Sequence, residues 1–111
     1  MSDMDWTRER PDDPVVVRAP NVLIASNRLE LKNRVQHELD QGGRRFLVDF
    51  SDTQYIDSSG LGVLVMLTKT VGKFGGELHL ANLNDDLRSL LALSKLDTIL
   101  SILEGEGDDS A

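Results

Sequence analysis

The sequence predicts one α/β domain, a mixed but mostly parallel sheet of four to five strands with helices packed on it. Three observations carry that prediction. Short β-branched runs alternate with segments whose apolar residues recur at helical spacing. The segments between strands are long enough to be crossover helices, which impose parallel neighbours and right-handed connections. The chain has 111 residues, a length that forms one core and leaves no room for a second domain.

The elements follow in order. Val15-Val16-Val17 and Asn21-Val22-Leu23-Ile24 read as short strands, broken by Ala19-Pro20 because proline has no N–H to give a ladder. They lie too close in sequence to be parallel neighbours, hence the expected mixed sheet. A helix follows, capped by Ser26 or Asn27, with Leu31, Val35 and Leu39 on one stripe and Gly42-Gly43 as its stop. Phe46-Leu47-Val48-Asp49-Phe50 is nearly continuous apolar chain and reads as a central strand covered on both faces.

Tyr55-Ile56 ends the next apolar run, and Leu61, Leu64, Val65, Thr68 and Val71 then fall on helical spacing up to Phe74-Gly75-Gly76. Glu77 to Leu83 alternates as a strand. Asn84-Asp85-Asp86 supplies a cap and two acids to a helix carrying Leu87, Leu90 and Leu91. Leu96 to Leu103 closes the domain as a short strand or helical turn. Residues 1–13 and 104–111 are acidic and poor in apolar groups, so they read as flexible tails around a domain spanning 14–103.

Composition narrows the function. A formal net charge of −7 argues against direct nucleic acid binding or an anionic membrane surface, because both are polyanions. The absence of cysteine removes disulfides and thiolate metal sites and accords with a cytoplasmic location. Met1-Ser2-Asp3-Met4-Asp5-Trp6 lacks the basic and apolar regions of a signal peptide, and the apolar run Leu61 to Leu67 is too short for membrane insertion.

The most informative segment is Asp57-Ser58-Ser59-Gly60-Leu61-Gly62, which stands where a strand hands over to a helix. A helix's first turn carries unpaired N–H groups and partial positive charge, so a phosphoryl group is welcome there without basic side chains. Phosphorylating a serine at this junction would add roughly 1.5 to 2 negative charges and change what docks without refolding the domain. A plainer reading competes: Ser58 and Ser59, helped by Asp57, are simply N-cap residues. Gly60 reads equally well as a place where backbone meets backbone, and Gly62 as a site of close helix packing.

Catalysis finds little support. Gly60-x-Gly62 is not a dinucleotide fingerprint, and Lys69-Thr70 lacks the glycines of a phosphate-binding loop. A serine triad would need His37 or His79 beside Ser58 or Ser59, yet His37 sits on the polar side of a helix and His79 alternates with Leu78 and Leu80 on a strand. Asp49, Asp52 and Asp57 are spaced as loop and strand-end acids and lack a calcium-loop pattern. The expected protein is a binding module with no enzyme activity, no cofactor and no metal.

From Phe46 to Leu100, and more weakly from Val15, the pattern resembles the STAS domain of bacterial anti-sigma-factor antagonists. The resemblance rests on a hydrophobic strand, the Asp57-Ser58-Ser59-Gly60-Leu61-Gly62 motif, a helix stopped by Gly-Gly, an alternating strand and Asn-Asp-Asp opening a helix. It implies phosphorylation of Ser59, with Ser58 as its neighbour, by a partner that is both anti-sigma factor and serine kinase, and removal by a serine phosphatase. The unphosphorylated form would hold the kinase and free a sigma factor. The chain departs from the family at Ile24-Ala25-Ser26-Asn27-Arg28-Leu29, where relatives carry a Gly-x-Leu-Asp segment; the missing acid bears on partner identity.

The partner surface expected from these readings comprises Asp57, Ser58, Ser59, Gly60, Leu61, Gly62 and Met66. Leu61, Met66 and Leu67 lie beside Ser59 in sequence, although helical period gives each of them core packing as its first duty. An alternative is a STAS scaffold that is never phosphorylated, in a signalling complex or a lipid or anion transport system.

Overall fold

Residues 14–103 are described by the computed structural model. Strands and helices alternate: β1 (Val15–Arg18), β2 (Val22–Leu23), α1 (Arg28–Asp40), β3 (Arg45–Asp49), β4 (Tyr55–Ile56), α2 (Ser58–Lys73), β5 (Glu77–Ala81), α3 (Asp85–Leu93), a 3-10 turn (Leu96–Thr98) and β6 (Ser101–Ile102). The readings of 1–13 and 104–111 as tails lie outside the described residues.

The main sheet has the order β1-β3-β5-β6 and a second, two-stranded sheet pairs β2 with β4. Every pairing among the described strands is parallel. The fold class is the predicted α/β arrangement, but the mixed pairing expected of the opening strands is absent here. Ala19-Pro20 separates β1 from β2 so that they join different sheets, β1 beside β3 and β2 beside β4, and need no hairpin.

The main sheet buries one face. Val17, Phe46, Val48, Phe50, Leu78 and Leu80 point into a core shared with Leu31, Val35 and Leu39 of α1, Val63, Leu64, Leu67 and Val71 of α2, and Leu87 and Leu91 of α3. Each such side chain contributes about 1.5–3 kcal/mol on leaving water. On the opposite face, Val16, Leu47, His79 and Ser101 lie in register across the four strands, and Val16 is 58% exposed. Thus β3 is not covered on both faces as expected. Its nearly continuous apolar sequence reflects Leu47 at the half-buried centre of an open face.

The stripe on α1 is the predicted one. That on α2 is shifted: Val63 and Leu67 are buried, whereas Leu61, Val65 and Thr68 are half-buried. A helix apolar nearly all round has no single stripe to read, and here its flanks pack as well as its inner face. Both helices end on Gly-Gly with the same pair of bonds. Gly43 N–H donates to Glu38 O (2.8 Å) and Gly42 N–H to Leu39 O (3.0 Å); Gly76 N–H donates to Val71 O (3.0 Å) and Gly75 N–H to Gly72 O (2.9 Å).

Candidate functional site

The two-stranded sheet builds the site. With Val22 opposite Tyr55 and Leu23 opposite Ile56, β2 and β4 run side by side and both feed helices from the same end. Asp57 follows β4 in extended conformation and is the N-cap of α2. Its carboxylate accepts from Gly60 N–H at 2.8 Å through Oδ1 and from Ala25 N–H at 3.2 Å through Oδ2. Its own N–H donates to Leu23 O at 3.1 Å. One side chain therefore caps α2 and ties it to the loop that leads into α1.

That capping role displaces the plainer reading of the serines. Ser58 and Ser59 are the first two residues of α2, inside the helix rather than at its cap, and neither hydroxyl is engaged by another described group. Ser58 is exposed and Ser59 half-buried. Helix geometry leaves their N–H groups without intrahelical acceptors. The result is two free hydroxyls beside two backbone N–H groups without intrahelical acceptors, the third, Gly60 N–H, being taken by Asp57.

Gly60 is buried, and a Cβ there would stand 2.4 Å from Leu23 O and 2.8 Å from Ile56 Cγ2. Only glycine lets α2 start this close to β2. Gly62 is different: a Cβ there would meet nothing within 4 Å, so the close packing expected of it does not occur among the described residues. Ser58, Gly62 and Met66 instead form an exposed ridge at four-residue spacing, with Met66 36% exposed. Leu61 is half-buried beside them, and Leu67 belongs to the core at 2% exposure.

At the start of α1, Asn27 occupies the N-cap position without capping. Its Oδ1 accepts from Ile24 N–H (2.9 Å) and its Nδ2 donates to Val22 O (2.8 Å), so it fixes the β2–α1 loop. Behind the site, Thr53 Oγ1 donates to Pro20 O at 2.7 Å and Gln54 N–H to Asn21 O at 2.7 Å. Sequence reasoning missed this stitching, because pairing between the two loops becomes visible only when β2 is known to lie on β4.

The other chemically interesting residues fall elsewhere. His37 is exposed on α1. His79 does meet a serine, but it is Ser101 (2.6 Å, through Nδ1), with Glu77 on Nε2 at 3.0 Å, on the open sheet face and away from the motif. Asp49 Oδ1 accepts from Asn82 Nδ2 and Ser51 N–H, each at 2.9 Å, and the Asn82 bond leads the causes holding its carboxyl below the usual carboxylate range. Asp52 pairs with Arg18 at 3.0 Å. Among the described residues, no helix is long and apolar enough to cross a membrane and no three acidic or histidine side chains converge as a metal cluster.

A parallel sheet, a serine pair free at the mouth of one helix and a bare ridge alongside are the features of this site. The STAS domain family model matches residues 5–108, and the chain belongs to that family. Among curated relatives it is 34% identical over 94 residues to a protein of Thermotoga maritima named anti-sigma factor antagonist, covering 83% of each chain. It is 26% identical over 99 residues to one so named, BtrV, of Bordetella bronchiseptica, covering 89% of this chain and 85% of that one. The crystal structure of the Thermotoga maritima protein superposes with a TM-score of 0.75 at 32% identity, covering 89% of this chain and 86% of that one. SpoIIAA, an anti-sigma factor antagonist solved in its unphosphorylated form, has the same fold, with a TM-score of 0.64 at 16% identity over 87% of this chain and 84% of that one.

Proposed function

We propose that this chain is an anti-sigma-factor antagonist whose binding is switched by phosphorylation of Ser59. The observation that carries the proposal is the pair of unengaged hydroxyls at the start of α2, beside a ridge on which Gly62 and Met66 leave the helix open. Relatives named anti-sigma factor antagonists support the class of partner. In its unphosphorylated form the ridge docks an anti-sigma factor that also has serine kinase activity, and the sigma factor is freed. A phosphoryl group on Ser59 places about 1.5 to 2 negative charges beside the Asp57 carboxylate at the edge of that surface, so the complex separates; a serine phosphatase restores the first state.

Intact-mass analysis of the protein recovered from its own cells, before and after phosphatase treatment, with peptide mapping across Tyr55 to Lys69, tests the modification. A phosphatase-sensitive phosphoryl group on Ser59 is the expected result. An unmodified peptide in growth, stress and starvation alike would overturn the switch.

A further inference from the structure

We infer that Arg28 is the internal counter-ion of the phosphorylated serine, closing on the Ser59 phosphate from the neighbouring helix. The inference rests on the switch proposed above and names a residue that sets the state of that switch. Arg28 is the first residue of α1 and half-buried, and its Nε is enclosed with no hydrogen-bond partner. No ion pair engages its guanidinium among the described residues. A buried N–H of a permanently charged group is rarely left unpaired, because it forfeits water and gains nothing in exchange. An arginine in that condition is preset for an acceptor that arrives later.

The topology says which acceptor. The register of Leu23 with Ile56 brings the chain out of β2 and β4 side by side, and Asp57 is bonded both to Ala25 in the β2–α1 loop and to Gly60 in α2. The two helix starts are therefore neighbours, and α1 and α2 pack against each other. On α1, Arg28 precedes Leu31 by three residues and so continues the inward stripe of Leu31, Val35 and Leu39, with its side chain leaning toward the helix N-terminus. On α2, the buried line Gly60, Leu64, Leu67 and Val71 leaves Ser59 on one flank and Leu61 on the other. Right-handed crossovers set α1 against the Ser59 flank, which agrees with Ser59 being half-buried while Ser58 is exposed.

Nothing on α2 competes for the role. From Ser58 to Thr68 the helix carries no basic residue, so its own cations, Lys69 and Lys73, lie about three and four turns away. A guanidinium offers a planar fork that matches two phosphate oxygens, and its Nε–H is one prong of that fork. With Arg28 engaged, the phosphate is held against the body of the protein. The modified form is then a fixed state with its new charge partly neutralised on the α1 side and open on the ridge side. Arg28 also determines how readily a phosphatase can lift the group.

The test uses full-length protein with phosphoserine installed at position 59 during translation, so that it depends on no kinase. Phosphorus NMR titration reads the second pKa of the phosphate, ordinarily about 6. In the wild-type sequence it falls below its value in Arg28→Gln by about half a unit or more, and Arg28→Lys recovers part of the difference. The same value in all three overturns the inference. A second readout needs no variant: the Arg28 Nε–H cross-peak moves downfield between the serine and phosphoserine proteins, and a peak that stays in place also overturns it. Binding of the phosphoserine protein to the anti-sigma partner is measured separately, so a failed switch and a disengaged arginine give different results.

Discussion

The carboxylate of Asp57 joins the starts of two helices, accepting Gly60 N–H at 2.8 Å and Ala25 N–H at 3.2 Å. A residue that looked like a helper to two capping serines is the cap itself, and it also sets the distance between the motif and the β2–α1 loop. Asp57→Ala is expected to cost about 1 kcal/mol, the ordinary value of an N-cap, with the further loss of the Ala25 bond adding to it. Urea unfolding checks this: an unchanged midpoint would show that the bridge contributes nothing. Asp57→Asn, which keeps one acceptor, should fall between.

The two motif glycines should respond in opposite directions. Gly60→Ala drives a methyl group to 2.4 Å from Leu23 O, a backbone atom that cannot rotate away. The loss should be about 1–3 kcal/mol, the usual cost of overpacking, with the β2–β4 pair disturbed first. Thermal unfolding measures it.

Gly62→Ala meets open space. It should raise stability by about 0.5–1 kcal/mol through helix propensity while weakening partner docking on the ridge. Titration calorimetry against the anti-sigma partner separates the two effects; undiminished affinity would remove Gly62 from the binding surface.

Ser59→Asp should lower affinity for the same partner at least about tenfold, or about 1.4 kcal/mol, with the circular dichroism spectrum unchanged. Ser59→Ala should bind as the wild type does and resist the kinase. Equal affinity of wild type and Ser59→Asp counts against a charge-operated release.

Acid should act through Asp49. Its carboxyl is held below the usual range, first by the Asn82 side-chain bond, so the native state binds fewer protons there than the unfolded chain. The stability this group contributes is complete above the unfolded value of about 3.9 and drains away as the pH falls through the lower folded value. Asn82→Ala should therefore flatten the decline of stability with pH below about 4. An identical slope in denaturant titrations at stepped pH would show that the bond does not hold the charge.

Much of this was legible because local chemistry and global fold agree. Leu31, Val35 and Leu39 carry their stripe without ambiguity, Asn84 caps α3 by accepting Leu87 N–H at 2.8 Å, and both Gly-Gly pairs end their helices as read. Where the pattern failed, a physical reason is visible. The stripe on α2 was misplaced because α2 is apolar on its flanks too, whereas Leu67 took the core duty that helical period gave it first. The loss of an acid in the β2–α1 loop was visible, but the buried, unpaired Nε of Arg28 was not, since an arginine opening a helix ordinarily reads as solvated. Gly62 gave no signal to distinguish bare surface from tight packing, which only the empty space around it resolves.

The β2–β4 pair is two residues long on each side and shares no strand with the main sheet. Its Leu23 and Ile56 are buried in the core shared with the main sheet, so the pair is held to the domain by packing rather than by a common ladder. On the proposed reading, recognition is built on the corner of the fold that carries the fewest ladder bonds. Exposed positions of the β2–α1 loop, Ala25 and Ser26, can then vary while the main sheet's own ladder of hydrogen bonds is left intact.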